Sequence, residues 1–504
     1  MDHVEIASPV KRSFSAKAAA SMTWLLPTAV VLAAMVLRLN TQENADDSWL
    51  LTLAEKLVDG RRDFIELNPP GAIFAYIPAV WLARIVGITP EAACNLLVFL
   101  LAAVSLGLVS LLLDPRYVAL RKSPVVTTGV VATLLVLPMY AFGEREHLCV
   151  LLILPWAVAL ATRLGGRTPD WQLLVAAGIA CGLCVMIKPH FILNVVVLSS
   201  ILAWRTRSFR MFFTLENCAA ALLLVLYATI LWTEFREFFV QTLPLVAGVY
   251  VPNRLDLATM IFWPASILWA STIAMTAATR ALRRSDALTG VLLTMSGVSY
   301  LGFFLQGKGW PYQSYPAISF ALLTLVILLG REAEGFAPGA RRERALNVLF
   351  ALGIFCTGMV WFSVQYPRDT IAIAETIDKI ASRPGIAMIG GDVSVGFPVT
   401  RLVHGNWAQR AASRWMASSA HRLRSQPGTE PEVAAAMERY ENLDRSMLLD
   451  DIRSNRPQII LIEAKPEDTF DWGAWARADP QLASELNAYE FVKQIDDVQI
   501  WRRR

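Results

Sequence analysis

The feature that most constrains this chain is a series of apolar runs, each near bilayer-spanning length, recurring from residue 22 to residue 363. A hydrocarbon core about 30 Å thick takes roughly 20 residues of helix, and only helices and closed barrels satisfy their own backbone polar groups there. The runs lie near 22–39, 92–113, 124–141, 147–163, 171–187, 191–204, 211–232, 259–280, 287–305, 314–330 and 345–363. With 55% hydrophobic and only 17% charged residues over 504 positions, the chain has too few charges to cover a soluble core of that size. It reads as a polytopic helical membrane protein. The formal charge of +4 is scattered in short clusters, which leaves no footprint for nucleic acid. All six cysteines fall in apolar runs, against a disulfide framework, and the Cys181–Cys184 pair reads as helix packing. The first run follows Lys11, Arg12 and Lys17 without a small-residue cleavage site and reads as a start-transfer helix.

A twelfth stretch, 71–87, opens after Pro69-Pro70, carries Pro78 and Arg84, and either spans or lies along the interface. Basic residues concentrate on the cytoplasmic side of membrane proteins, which separates the two readings. If 71–87 does not cross, the loops holding Arg116, Arg121, Lys122, Arg163, Arg167, Arg205, Arg207, Arg210, Arg280, Arg283, Arg284, Arg331, Arg341, Arg342 and Arg344 share one face with Lys11, Arg12 and Lys17. The opposite loops then hold half as many. Eleven spans therefore fit better than twelve. The expected organisation is a cytoplasmic N-terminus (1–21), a membrane module (22–363, with its first outer loop at 40–91) and an outer-face C-terminal domain (364–504). In the last, 387–389 and 459–462 read as buried strands, 430–451 as helix and 490–501 as a closing strand pair, making a small α/β domain.

The polar signatures that cytoplasmic anchoring does not explain all fall on that outer face. Asp46-Asp47 would either cap the helix that follows or supply a general base with a partner that tunes it. Glu144-Arg145-Glu146-His147 puts four ionisable groups at a span's edge, more than a turn needs, although Arg145 alone would snorkel harmlessly. Lys188-Pro189-His190 is an anion site or an interfacial lysine beside a helix break. In Gln306-Gly307-Lys308-Gly309-Trp310-Pro311-Tyr312, an aromatic belt accounts for Trp310 and Tyr312 but not for Lys308 between two glycines. No pair of histidines has metal-ligand spacing.

Cations converging beside an apolar groove suit a lipid phosphate, and a nearby carboxylate suits removal of a hydroxyl proton. Together they describe sugar transfer from a polyprenyl-phosphate donor with inversion at the anomeric carbon. A nucleotide-sugar donor is excluded by the outward-facing site. The acidic pair in the first outer loop, the short helix after it, then Asn68-Pro69-Pro70 and an interfacial helix resemble the GT-C superfamily of membrane glycosyltransferases. Within it the chain is most similar to protein O-mannosyltransferases and lipid A aminoarabinose transferases, a family 39-like pattern, over residues 20–365. The resemblance implies a first-loop acidic residue as catalytic base, here Asp46 or Asp47, with Asp47 preferred because it lies nearer the helix start. The pair is Asp-Asp where the mannosyl and aminoarabinosyl enzymes usually carry Asp-Glu, and Asn68 stands where aminoarabinose transferases carry lysine. Binding of donor phosphate and acceptor is therefore expected from Arg145, His147, Lys188, His190 and Lys308, with Glu144, Glu146, Gln306, Trp310 and Tyr312 around them. The sequence names no cofactor, and the chemistry leaves room for a divalent cation. The expected partners are membrane lipids, the lipid-linked donor and a surface glycan or glycolipid acceptor, in a bacterial inner membrane with the site and C-terminal domain periplasmic. The rival readings are a flippase for a lipid-linked glycan, which would place charges mid-span, and a polysaccharide polymerase or ligase, which would use a long late loop.

Overall fold

The computed structural model describes residues 9–279, 282, 286–334, 341–364, 368–464 and 470–504. Arg280, Arg283 and Arg284 lie outside the described residues, as do the side chains of Lys11, Arg12, Lys17, Arg341, Arg342 and Arg344. Among the described residues seven helices are long and apolar enough to cross a membrane: Pro90–Leu112, Arg145–Leu164, Pro189–Thr206, Leu215–Glu234, Ala287–Gln306, Pro311–Glu332 and Ala345–Phe362. The other four expected runs are helical too: the first lies within the helix Pro9–Leu39, and the other three form the shorter helices Pro124–Leu135, Trp171–Ile187 and Pro264–Ala278. Proline bounds all three of these shorter helices, because it lacks an N–H and restricts the residue before it. Pro138 ends the 124–141 run early, Pro189 follows the 171–187 helix, and Pro264 starts a fresh helix within the 259–280 run.

The two ends of the bundle differ chemically. At one end the basic loops find one another: Arg116 Nη2 donates to the Gly165 carbonyl (2.8 Å), Arg163 pairs with Glu216 (2.7 Å) and Arg331 with Asp286 (2.5 Å). The first loop and the C-terminal domain gather at the other end. There the 71–87 stretch forms two short helices, Gly71–Phe74 and Ile77–Val86. Gly71 N–H donates to Tyr227 Oη (2.8 Å), and the residue sits against the Met186 carbonyl at the end of the helix Trp171–Ile187. Glu91, just past the stretch, pairs with Arg401 of the C-terminal domain. Both flanks of the stretch therefore sit at one end of the bundle, so it does not cross. It buries Ala79, Val80 and Ala83 while leaving Trp81 and Ile85 exposed, the one-sided pattern of an interfacial helix.

The C-terminal domain is built on a five-stranded sheet of β1 (Gly385–Ile389), β2 (Asn406–Trp407), β3 (Ile459–Glu463), β4 (Tyr489–Ile495) and β5 (Val498–Arg503), in the order β2-β1-β3-β5-β4. β1 runs parallel to β2 and β3, with Ile386 opposite Ile459, and β5 is antiparallel to β3 and β4. Successive side chains leave opposite faces of a strand. Ile386, Met388, Ile459 and Leu461 join the core that continues into the first loop, whereas Ala387, Ile389, Ile460 and Ile462 pack with Leu448 and Ile452 of the helix Pro431–Asn455. Two-sided burial is what makes β1 and β3 unbroken apolar runs in the sequence.

Candidate functional site

Asn44 caps the helix Ala45–Val58, its side chain accepting the Asp46 N–H at 2.8 Å. Asp46 and Asp47 occupy the first turn, where the helix dipole favours carboxylates. Adjacent residues on a helix point about 100° apart, and the two part company. Asp46 faces a cavity, where its Oδ2 lies 2.9 Å from Arg145 Nη2. Asp47 turns inward and is 1% exposed. Tyr76 Oη lies 2.5 Å from Asp47 Oδ1 and 3.0 Å from the Gly143 carbonyl. One phenolic hydrogen cannot serve both, and a proton on Asp47 completes the chain. Burial, reinforced by Glu43 and Asp46, pushes the Asp47 carboxyl well above the usual carboxylate range against the opposing pull of Tyr76 and Arg145. Glu43 is likewise pushed up to about 7, by burial and then the Glu91 charge, with the Asn95 amide opposing.

The cavity encloses about 1070 Å³ between the bundle end and the C-terminal domain. Of the residues singled out in the sequence, Asp46, Arg145, Lys188, Gln306, Lys308, Trp310 and Tyr312 line it, and Asp47, Glu144, Glu146, His147 and His190 do not. His147 is fully buried and fastens the turn ahead of its helix: Nδ1 accepts the Gly143 N–H (3.1 Å) and Nε2 lies 2.7 Å from the Leu134 carbonyl. Both nitrogens are used within the protein. His190 instead packs on Phe191 and beside Gly302. Glu146 holds Lys188, with Nζ 2.8 Å from Oε1.

Arg145 and Lys188, the expected phosphate ligands, are thus each matched by a carboxylate. Glu43, Asp46 and Glu66 also line this part of the cavity, which gives it an acidic floor. Three further lining cations, Lys308, Arg254 and Arg422, are different. Lys308 Nζ donates to the Tyr250 carbonyl (2.6 Å) and to that of Asn253 and lies 3.9 Å over the Tyr250 ring, keeping one N–H for a ligand. Burial, with Arg254 and Arg422 close by, lowers Lys308 to about 8. Among the described residues, none of these three cations forms an ion pair with a carboxylate.

Sequence reasoning did not find Glu66, whose carboxylate accepts from Trp49 Nε1 (2.6 Å) and from the Asn68 N–H (3.0 Å). It also did not find the roof, where Ser413, Trp415, Arg422 and Trp472 close the cavity from the C-terminal domain. Only the docking of that domain brings them in, and no local pattern marks them. The docking contacts are the Ile65 N–H to the Arg410 carbonyl (2.8 Å), Arg401 to Glu55 (2.6 Å), and Trp49 against Phe397 with ring centroids 5.6 Å apart. Among the described residues, no group of three or more His, Cys, Asp or Glu side chains is arranged to hold a metal ion.

No protein-family model and no curated protein matches the chain. Among solved structures it is similar to the crystal structure of ArnT from Cupriavidus metallidurans in the apo state, at 13% identity and a TM-score of 0.54, over 96% of this chain and 98% of that one. The two chains thus share one fold across nearly the whole length of both.

Proposed function

We propose that the protein transfers a sugar from a polyprenyl-phosphate donor to a glycan or glycolipid acceptor at the periplasmic face of a bacterial inner membrane. The observation that carries this reading is the charge layout of the cavity: its lining holds carboxylates that include Asp46 together with three cations that, among the described residues, form no ion pair with a carboxylate. The basic loops at the far end of the bundle support the orientation, and the shared fold supports the reaction class. The donor's phosphate sits against Lys308, Arg254 and Arg422, and its isoprenoid chain lies in the bilayer. The acceptor hydroxyl attacks the anomeric carbon from the opposite side. Its oxygen forms the new C–O bond, its proton passes to Asp46, and the old C–O bond breaks with its electron pair leaving on the lipid phosphate. The leaving group needs stabilisation of negative charge rather than a strong acid, which the cations supply.

Asp46, not Asp47, is the base in this reading, because Asp47 is enclosed and already carries a proton. Arg145 and Lys188 hold the floor carboxylates in place rather than the phosphate. The C-terminal domain, as the roof, selects the acceptor. Native mass spectrometry of protein purified in mild detergent tests the donor class, comparing wild type with Arg254→Ala and Lys308→Ala. A retained polyprenyl phosphate, with or without one sugar, that both substitutions release is the expected result. A retained pyrophosphate-linked oligosaccharide would replace this reading with polymerisation or flipping.

A further inference from the structure

Arg145 is placed between two carboxylates. On the cavity side its Nη2 lies 2.9 Å from Asp46 Oδ2, and on the buried side its Nε lies 3.7 Å from Glu144 Oε2. Glu144 is fully buried, and neither of its oxygens has a hydrogen-bond partner. Arg145 Nε has none either. Burial, with Asp47 and Asp46 adding to it, pushes the Glu144 carboxyl well above the usual carboxylate range against the pull of Arg145. Its ionised form therefore depends on how closely the guanidinium approaches, and the Arg145 Nε donor beside it is unused. A planar fork with five N–H groups can turn from one carboxylate to the other without leaving its helix.

We propose that Glu144 is a positioning residue: it receives the Arg145 guanidinium during the reaction and so releases Asp46 to take the acceptor's proton. While Arg145 bridges to Asp46, its Nη2 occupies the Oδ2 atom that would otherwise face the acceptor hydroxyl. Turning Arg145 onto Glu144 leaves Asp46 free at the moment the hydroxyl attacks. The other charged or titratable groups around the pair are Glu43 and Asp47 from the first loop, Glu146 one turn position along the span, and Tyr250 and Tyr312 across the cavity, with Lys188 held by Glu146. None of these offers Arg145 a second carboxylate as close as Glu144 does.

The inference rests on the reading of Asp46 as base, so its test has a structural arm that needs no activity. In a cryo-EM structure of Asp46→Asn, Arg145 is expected within hydrogen-bond distance of Glu144. Arg145 still directed at position 46 would overturn the proposal. In the kinetic arm, Glu144→Gln keeps Arg145 on Asp46 throughout. Its kcat is expected to fall roughly tenfold or more with donor KM unchanged, and the acid limb of its pH profile to move to lower pH. Glu144→Asp, which keeps the charge, restores most of the rate. A Glu144→Gln protein with wild-type kcat and an unmoved acid limb would also overturn it. A wild-type protein that transfers no sugar would instead overturn the proposed function, leaving the structural arm to decide on Arg145.

Discussion

The two adjacent aspartates show how much one residue's direction decides. Asp46 reaches the cavity and Arg145, while Asp47 is enclosed by Tyr76 and Gly143. Asp46→Asn is therefore expected to cut transfer by at least about 10²-fold, the usual contribution of a general base, with normal protein levels in the membrane. Asp47→Asn imitates the protonated acid already present and is expected to cost less than tenfold in the same assay. The reverse ranking in a lipid-linked sugar transfer assay would move the base to Asp47. Lys308 adds a pH dependence. Its pKa of about 8 means the ammonium is lost as pH rises through that value, so donor affinity should weaken above pH 8. Lys308→Arg, which does not titrate there, should bind donor with a flat profile in the same titration. Glu43 acts on stability with a worked sign. A carboxyl raised from 4.5 to about 7 in the fold binds its proton more tightly there than in the unfolded chain, so stability is greatest below pH 4.5 and declines as pH rises toward 7. The melting temperature of Glu43→Gln in detergent should therefore fall less than that of wild type between pH 5 and pH 7.5.

At the scale of elements, the turn at Phe142–Glu144 carries the tightest constraint. Gly143 has φ +92°, and a Cβ there would stand 3.2 Å from Asp47 Oδ2. Gly143→Ala should destabilise the protein by about 1–3 kcal/mol through backbone strain alone, seen as a lower detergent melting temperature. Helices and strands were the most legible part of the sequence, because lipid and two-sided burial both leave long apolar runs. Pro189 ended its helix at Ile187, where the sequence reading had it, whereas the bounds set by Pro138 and Pro264 were settled only by packing. The non-crossing character of 71–87 was legible through the distribution of arginines, a property of the whole chain rather than of that segment. His147 and His190 misled for a physical reason: a sequence shows that a polar group sits at a span's edge, not whether a backbone carbonyl or the cavity awaits it. His147 met the Leu134 carbonyl.

At the scale of the whole molecule, the site belongs to neither part alone. The floor comes from the first loop and the span ends, and the roof from residues more than 200 positions later. That separation is why the roof stayed illegible, since nothing in Ser413, Trp415 or Arg422 singles them out before the domain docks. Arg401, bonded to Glu55, Thr52 and Glu91, is the main polar clasp between the two parts. Arg401→Ala leaves two carboxylates facing each other and should lower stability by about 2 kcal/mol, with faster limited proteolysis of the C-terminal domain and intact membrane insertion. The order of synthesis then matters. Every span, with Asp46 and all the floor residues, leaves the ribosome before the stretch from Ser413 to Trp472 that closes the cavity. A chain stopped at residue 363 would be fully inserted and carry its carboxylates, yet hold them in an open dish washed by water. On the proposed function, transfer would wait for the stretch from Ser413 to Trp472 to close the cavity, so a protein made only as far as its spans would not squander activated sugar.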